Sequence, residues 1–204
     1  MKRLHRANLW SWSAFNPERN LDFHSTLWVR PSGNVAFDPL PQSEHDRKHL
    51  LELGPLAWIV VTNSDHVRDS LELARTTGAK LAGPAGERSS LPLPCERWLA
   101  DGDRLVDELE VVAFEGSKTP GELGCILEGH TLITGDLIRA HEAAQLTLLP
   151  DAKLTDKPRA LASIRRLAPY ALDAVLVGDG WPIFRDGQRA IRELLARCES
   201  RQDS

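Results

Sequence analysis

Cysteine is scarce in this chain of 204 residues: Cys95, Cys125 and Cys198 are three, far apart, and no C-x-x-C occurs. An odd, scattered set of this kind predicts neither a disulfide framework nor a Cys-rich zinc centre. No stretch approaches the ~18 consecutive apolar residues of a membrane span, so no membrane partner is expected. Lys2 and Arg3 are followed by no long apolar run, so a secretory leader is not expected and the cytoplasm is the default compartment. Blocks of like charge are missing as well. The formal net charge is -4 and the basic residues are dispersed, which argues against a nucleic-acid partner gripped through its phosphates. The short run "SIRRLA" has helical spacing and reads as a solvated helix face. There is no internal repeat and no low-complexity linker. The chain therefore reads as one domain over residues 1-204, long enough to bury a sizeable core.

What is present is an alternation of short apolar runs and amphipathic segments. Residues 1-20 hold Trp10, Trp12 and Phe15 and read as an irregular aromatic cap on the core; the same segment would suit an interface in a homo-oligomer. "STLWVR" and "VAFDPL", separated by "PSGN", read as a hairpin. "DRKHLLELG" reads as a helix capped at Gly54. "LAWIVVT" is apolar on both faces, as in a covered parallel strand. "HVRDSLELARTTG" reads as a helix ending at Gly78, and "AKLAGP" as the next strand. Further on, "ELEVVAFEG", "GCILEG", "HTLITGD" and "LDAVLVGDG" read as strands, and "KPRALASIRRLAPY" and "RDGQRAIRELLARC" as helices. Strands in meander order with helices at their ends predict an α+β fold, an αββα sandwich. Periodicity alone does not separate that from a doubly wound α/β fold.

Ionisable groups follow directly on four of these strands: Asp65 and His66 after "WIVV", Lys118 after "VVAF", Asp136 in "LITGD" and Asp179 in "VLVGDG". Strand ends hold side chains rigidly at a surface cleft. Carboxylates gathered in one cleft repel unless a cation or protons lie between them. Each residue also has a plainer reading: Asp65 as an N-cap, the Gly-Asp pairs as turns, His66 as a structural histidine, Lys118 as an exposed loop lysine.

The order of these motifs resembles the metallo-β-lactamase superfamily over nearly the whole chain. "VAFDPL" resembles its early strand ending in Asp-Pro. "VVTNSDHVRDSLELARTTGAKLAG" resembles its strand, metal loop and helix, which usually reads T-H-x-H-x-D-H. "KTPGE" resembles H-T-P-G-S, "ITGD" resembles F-x-G-D, and "VGDGWPI" resembles the late G-H-G loop. Two alignments of the metal loop are open. In one, Asp65 and His66 match the family's Asp-His and the H-x-H part is shortened away. In the other, Asn63 and Asp65 stand at the two lost histidines and His66 is a bystander.

The resemblance implies a metallo-β-lactamase-type αββα sandwich and a two-metal site, of which this chain keeps only part. The H-x-H pair is absent and Lys118 stands at the third histidine of the first metal. For the second metal, Asp65, His66 and Asp136 remain, and Asp179 stands where the last histidine would be. The resemblance thus implies at most one divalent metal, Zn, Mn, Fe or Mg, held by Asp65, His66, Asp136 and Asp179, or none. An oxygen-rich set of this kind favours harder ions. With a metal, the expectation is a hydrolase acting on an ester, thioester or phosphoester, with Asp65 and Lys118 as catalytic groups. Without one, it is a non-catalytic member that binds a small anion or a protein partner. With one metal or with none, the Lys118 ammonium would lie beside Asp136 or Asp65 and supply the missing positive charge.

Overall fold

A computed structural model describes residues 1-200, and the described chain divides into two compact units, Met1–Trp98 and the residues from Leu99 onward. The first unit is built on a seven-stranded sheet whose spatial order follows the sequence. Its strands are β1 (Lys2–Arg3), β2 (Leu9–Asn16), β3 (Leu21–Trp28), β4 (Asn34–Phe37), β5 (Leu56–Val60), β6 (Lys80–Pro84) and β7 (Arg97–Leu99). Helix α1 (Glu44–Glu52) joins β4 to β5, and α2 (Ser70–Thr77) joins β5 to β6. Antiparallel pairing from β1 to β4 gives way to parallel pairing of β4, β5 and β6. Parallel neighbours need crossovers, and the two helices supply them.

The structure differs from expectation in two places. Residues 1-20 do not form an irregular cap. "LWSWSAFN" is strand β2, paired with β3 in unbroken register from Leu9↔Trp28 to Asn16↔Leu21. The two-residue alternation that puts Trp10 and Trp12 on the same side is the strand signal. Trp12 is buried, and its indole N–H donates to the Leu40 carbonyl at 2.9 Å. The second correction concerns the helix expected from His66. Residues Ser64–His66 instead form a 3-10 turn capped by Asn63, Arg68 has a left-handed backbone (φ 42°), and α2 starts only at Ser70. Its stop at Gly78 is as expected, with a left-handed C-cap (φ 73°). Leu27, Ala36, Leu50, Ile59, Val61, Leu73 and Leu81 share the core of this unit. A fully buried Leu, Ile or Val side chain contributes about 1.5–3 kcal/mol.

The second unit carries β8 (Arg104–Val106), β9 (Leu109–Phe114), β10 (Glu122–Leu127), β11 (Thr131–Ile133), β12 (Ile138–Glu142), β13 (Gln145–Leu148) and β14 (Ala174–Leu176), with α3 (Lys157–Arg165) and α4 (Gly187–Ser200). The five-stranded sheet runs β14-β11-β10-β9-β8, and β12 and β13 form a separate hairpin. Phe114, Ile126, Leu132, Ile164, Val175, Ile191 and Leu194 belong to its core. β11 and β14 are parallel, Thr131↔Ala174 to Ile133↔Leu176, so the segments that follow them, holding Asp136 and Asp179, leave the sheet at the same edge.

Beyond β14 the backbone makes a close approach that only glycine allows. Gly180 has φ +93°, pairs in a parallel bridge with Ala140, and a Cβ there would lie 2.1 Å from the Ala140 carbonyl oxygen. We predict that Gly180→Ala destabilises the protein by about 2–4 kcal/mol, through backbone strain plus overpacking. Urea unfolding should show a lower midpoint at unchanged slope; a change within about 0.5 kcal/mol would mean the loop moves freely away from β12.

Candidate functional site

In the first unit the strand ends converge on Asp38, the residue after β4. Its backbone is left-handed (φ 46°), a conformation that aspartate tolerates better than most residues. The side chain is buried and fully engaged. Oδ1 accepts from the Thr62 backbone N–H at 2.7 Å, and Oδ2 accepts from the Thr62 hydroxyl at 2.6 Å and pairs with His66 Nδ1 at 2.8 Å. A carboxylate has no proton to give, so the Nδ1–H is the donor and the tautomer of His66 is set by Asp38. The Asp38 carbonyl accepts from the Ser25 hydroxyl at 2.8 Å and from the Arg68 guanidinium at 2.9 Å; Arg68 also reaches the His24 carbonyl at 2.6 Å. The left-handed turn at Arg68 therefore places a cation that ties β3 to the end of β4.

The metal-loop segment is held by its own polar groups. Asn63 is buried and its Oδ1 accepts from the Asp65 N–H at 2.9 Å. Glu87, wholly buried after β6, accepts from the Ser64 N–H at 2.9 Å. The turn separates the two residues read as ligands: His66 is buried against Asp38, and Asp65 is exposed.

In the second unit Lys118 and Asp136 meet, with Nζ–Oδ2 at 2.8 Å. The lysine side chain is 25 % exposed and the aspartate 10 %, so the pair sits at the lip of the fold and not in open solvent. A second carboxylate anchors the segments that carry them. Glu122 is wholly buried; one oxygen accepts from the Ser117 hydroxyl at 2.6 Å and the other from the Leu137 N–H at 2.7 Å. Each bond lands one residue away from a member of the ion pair. Asp179 is partnered differently. It is buried, and its Oδ2 accepts from Arg139 at 2.7 Å and faces His141 Nε2 at 2.8 Å. Arg139 Nε also points at His141 Nε2, at 3.0 Å. That nitrogen can donate to Asp179 or accept from Arg139, not both. Asp179 Oδ1 is buried without a hydrogen-bond partner.

His66 gives its Nδ1–H to Asp38, which leaves Nε2 as its ligating nitrogen, while Asp136 is paired with Lys118 and Asp179 with Arg139. Among the described residues no group of three or more His, Cys, Asp or Glu is arranged to hold a metal ion. Two of the three cysteines are poorly placed as nucleophiles. Cys125 is buried, and burial, reinforced by Glu96, pushes the Cys95 thiol up to about 11, so it is uncharged near neutrality. Asp38, Glu122, Arg139 and His141 do not stand out in the sequence as site residues. Asp38 is read only as the close of the strand "VAFDPL", Glu122 as one more strand residue, and the β12–β13 hairpin turns at Ala143-Ala144 without Gly, Asn or Pro to mark it.

The dependence on Asp38 is testable. Asp38→Ala leaves three buried donors without their acceptor, at about 1–3 kcal/mol each before relaxation. We predict a loss of about 3 kcal/mol or more in chemical denaturation, with Asp38→Asn losing less because it keeps one acceptor oxygen. Equal, near-zero losses for both would show that Asp38 does not organise the strand ends.

Comparison with known proteins agrees with the architecture. The chain resembles a metallo-β-lactamase from Erythrobacter litoralis (TM-score 0.75, 15% identity, 97% of this chain and 95% of that one). It also resembles a metallo-β-lactamase family protein from Thermus thermophilus (TM-score 0.69, 18% identity, 98% and 82%) and a β-lactamase domain protein from Burkholderia ambifaria (TM-score 0.69, 19% identity, 98% and 77%). At these identities the likeness speaks for the fold alone, the α+β sandwich of metallo-β-lactamase type expected from the motif order. No curated protein matches. The family model of the metallo-β-lactamase superfamily, many of whose members are metal-dependent hydrolases, matches residues 1–198, and on that match the chain belongs to the metallo-β-lactamase superfamily.

Proposed function

We propose that this chain is a metal-independent member of the superfamily that binds a small anion through Lys118. The observation that carries the reading is the 2.8 Å ion pair between Lys118 and Asp136. A fixed ammonium supports the carboxylate that a metal would otherwise neutralise, and it supplies that charge without metal-ligand geometry. The buried Glu122 clamp supports a preset position for the ammonium, because Ser117 and Leu137 are both anchored. A partly exposed lysine held in one place is a ready contact for a carboxylate or phosphate. The partner is then a small molecule, with neither nucleic acid nor membrane involved; among the described residues no helix is long and apolar enough to cross a bilayer.

Family membership keeps a second reading: a hydrolase with one divalent ion on Asp65, His66, Asp136 and Asp179, with Asp65 and Lys118 as catalytic groups. It requires Asp136 and Asp179 to exchange their cationic partners for the ion. One set of measurements separates the two. Tag-free protein, purified without chelator and dialysed, is expected to retain well under one metal per chain. Inorganic phosphate or a simple carboxylate is expected to raise the melting temperature of wild type and not of Lys118→Met, by ligand linkage. One retained metal per chain that disappears in Asp136→Asn, with hydrolysis of a nitrophenyl ester or phosphodiester lost in the same variant, would establish the hydrolase instead.

A further inference from the structure

Two histidines outside the strand ends stand on one face of α1. His45 and His49 are four residues apart, which puts their side chains one above the other on the helix. Their ring centroids are 6.3 Å apart. His49 packs edge-on against Trp10, centroids 4.7 Å apart, which limits its rotation, whereas His45 is exposed. Among the described residues neither ring takes part in a hydrogen bond or ion pair. Three other histidines have acidic partners: His66 with Asp38, His141 with Asp179 and His130 with Glu128.

We propose that His45 and His49 form a two-histidine site for a borderline divalent cation, Zn²⁺, Ni²⁺ or Cu²⁺, on the exposed face of α1. Neutral imidazole nitrogen suits these ions, and an i, i+4 histidine pair on a helix is a chelating arrangement. Metal–nitrogen bonds of about 2.0–2.1 Å bring the ring centroids of a chelating pair to roughly 5 Å. From 6.3 Å that closure takes only side-chain rotation, and the exposed His45 is the ring that swings. The rest of the coordination shell is water. Local charge is mixed. Asp46, between the two histidines in sequence, is held below the usual carboxylate range: burial works against this, and the N-terminal ammonium, the Ser43 hydroxyl and His45 outweigh it. Lys48 on the same helix is paired with Glu52. The site is independent of Lys118 and Asp136, so it stands or falls apart from the proposed function.

The test is calorimetric titration of tag-free protein with NiCl₂ and with ZnCl₂, repeated with MgCl₂. Wild type and His130→Gln should each bind one equivalent of Ni²⁺ or Zn²⁺ and none of Mg²⁺. Loss of either ligand removes the chelate, so affinity should fall about a hundredfold in His45→Gln and in His49→Gln. Because His49 packs on Trp10, His45→Gln is the decisive variant: the His45 side chain is exposed, so the fold is expected to persist. Binding retained in His45→Gln, or no saturable binding in wild type, would overturn the site.

Discussion

A carboxylate carried to the end of a buried strand needs a partner, because desolvation penalises its charge and a neighbouring carboxylate adds repulsion. Four of those that this chain places at or beside its strand ends have partners close by. Asp38 is met by Thr62 and His66, Glu122 by Ser117 and the Leu137 N–H, Asp136 by Lys118, and Asp179 by Arg139 with His141. A metal site answers the same need by sharing one multivalent cation among several acids. Here each of these acids has partners of its own. On the proposed reading, that difference is what turns the fold toward binding.

The same partners position the loops. The Asp38 carbonyl and carboxylate together gather β3, the end of β5 and the turn at His66. Glu122 ties the segment after β9 to the turn after β11, and Gly180 lets the segment after β14 lie against β12. These are buried, short contacts, so the loops that carry Lys118, Asp136 and Asp179 are set by the fold before any ligand arrives. Preset loops favour binding by limiting what must be ordered on association.

Much of this is legible in the sequence, for identifiable reasons. Long apolar runs such as "LAWIVV" and capped helices such as the one ending at Gly78 announce themselves through periodicity and stop signals. The order of "VAFDPL", "KTPGE", "ITGD" and "VGDGWPI" marks the strand ends, and with them Lys118 and Asp136. The aromatic N-terminus carries its strand signal in the alternation of Trp10 and Trp12, which the reading as a cap passes over. The start of α2 is displaced because a left-handed Arg68 carries no compositional mark. Arg139 and His141 stay hidden because their hairpin turns at two alanines, with Ala144 at φ 60°, where turn chemistry predicts Gly or Asn. Which acid pairs with which base is a tertiary fact, and no spacing rule supplies it.

The central claim is that Lys118 serves Asp136 in place of a metal. A double-mutant cycle with Lys118→Met, Asp136→Asn and the pair, measured by chemical denaturation with and without EDTA, tests it most directly. The expected coupling is about 1–3 kcal/mol, between the values of exposed and buried ion pairs, and unchanged in chelator. A coupling near zero, with EDTA destabilising wild type but not Asp136→Asn, would contradict it.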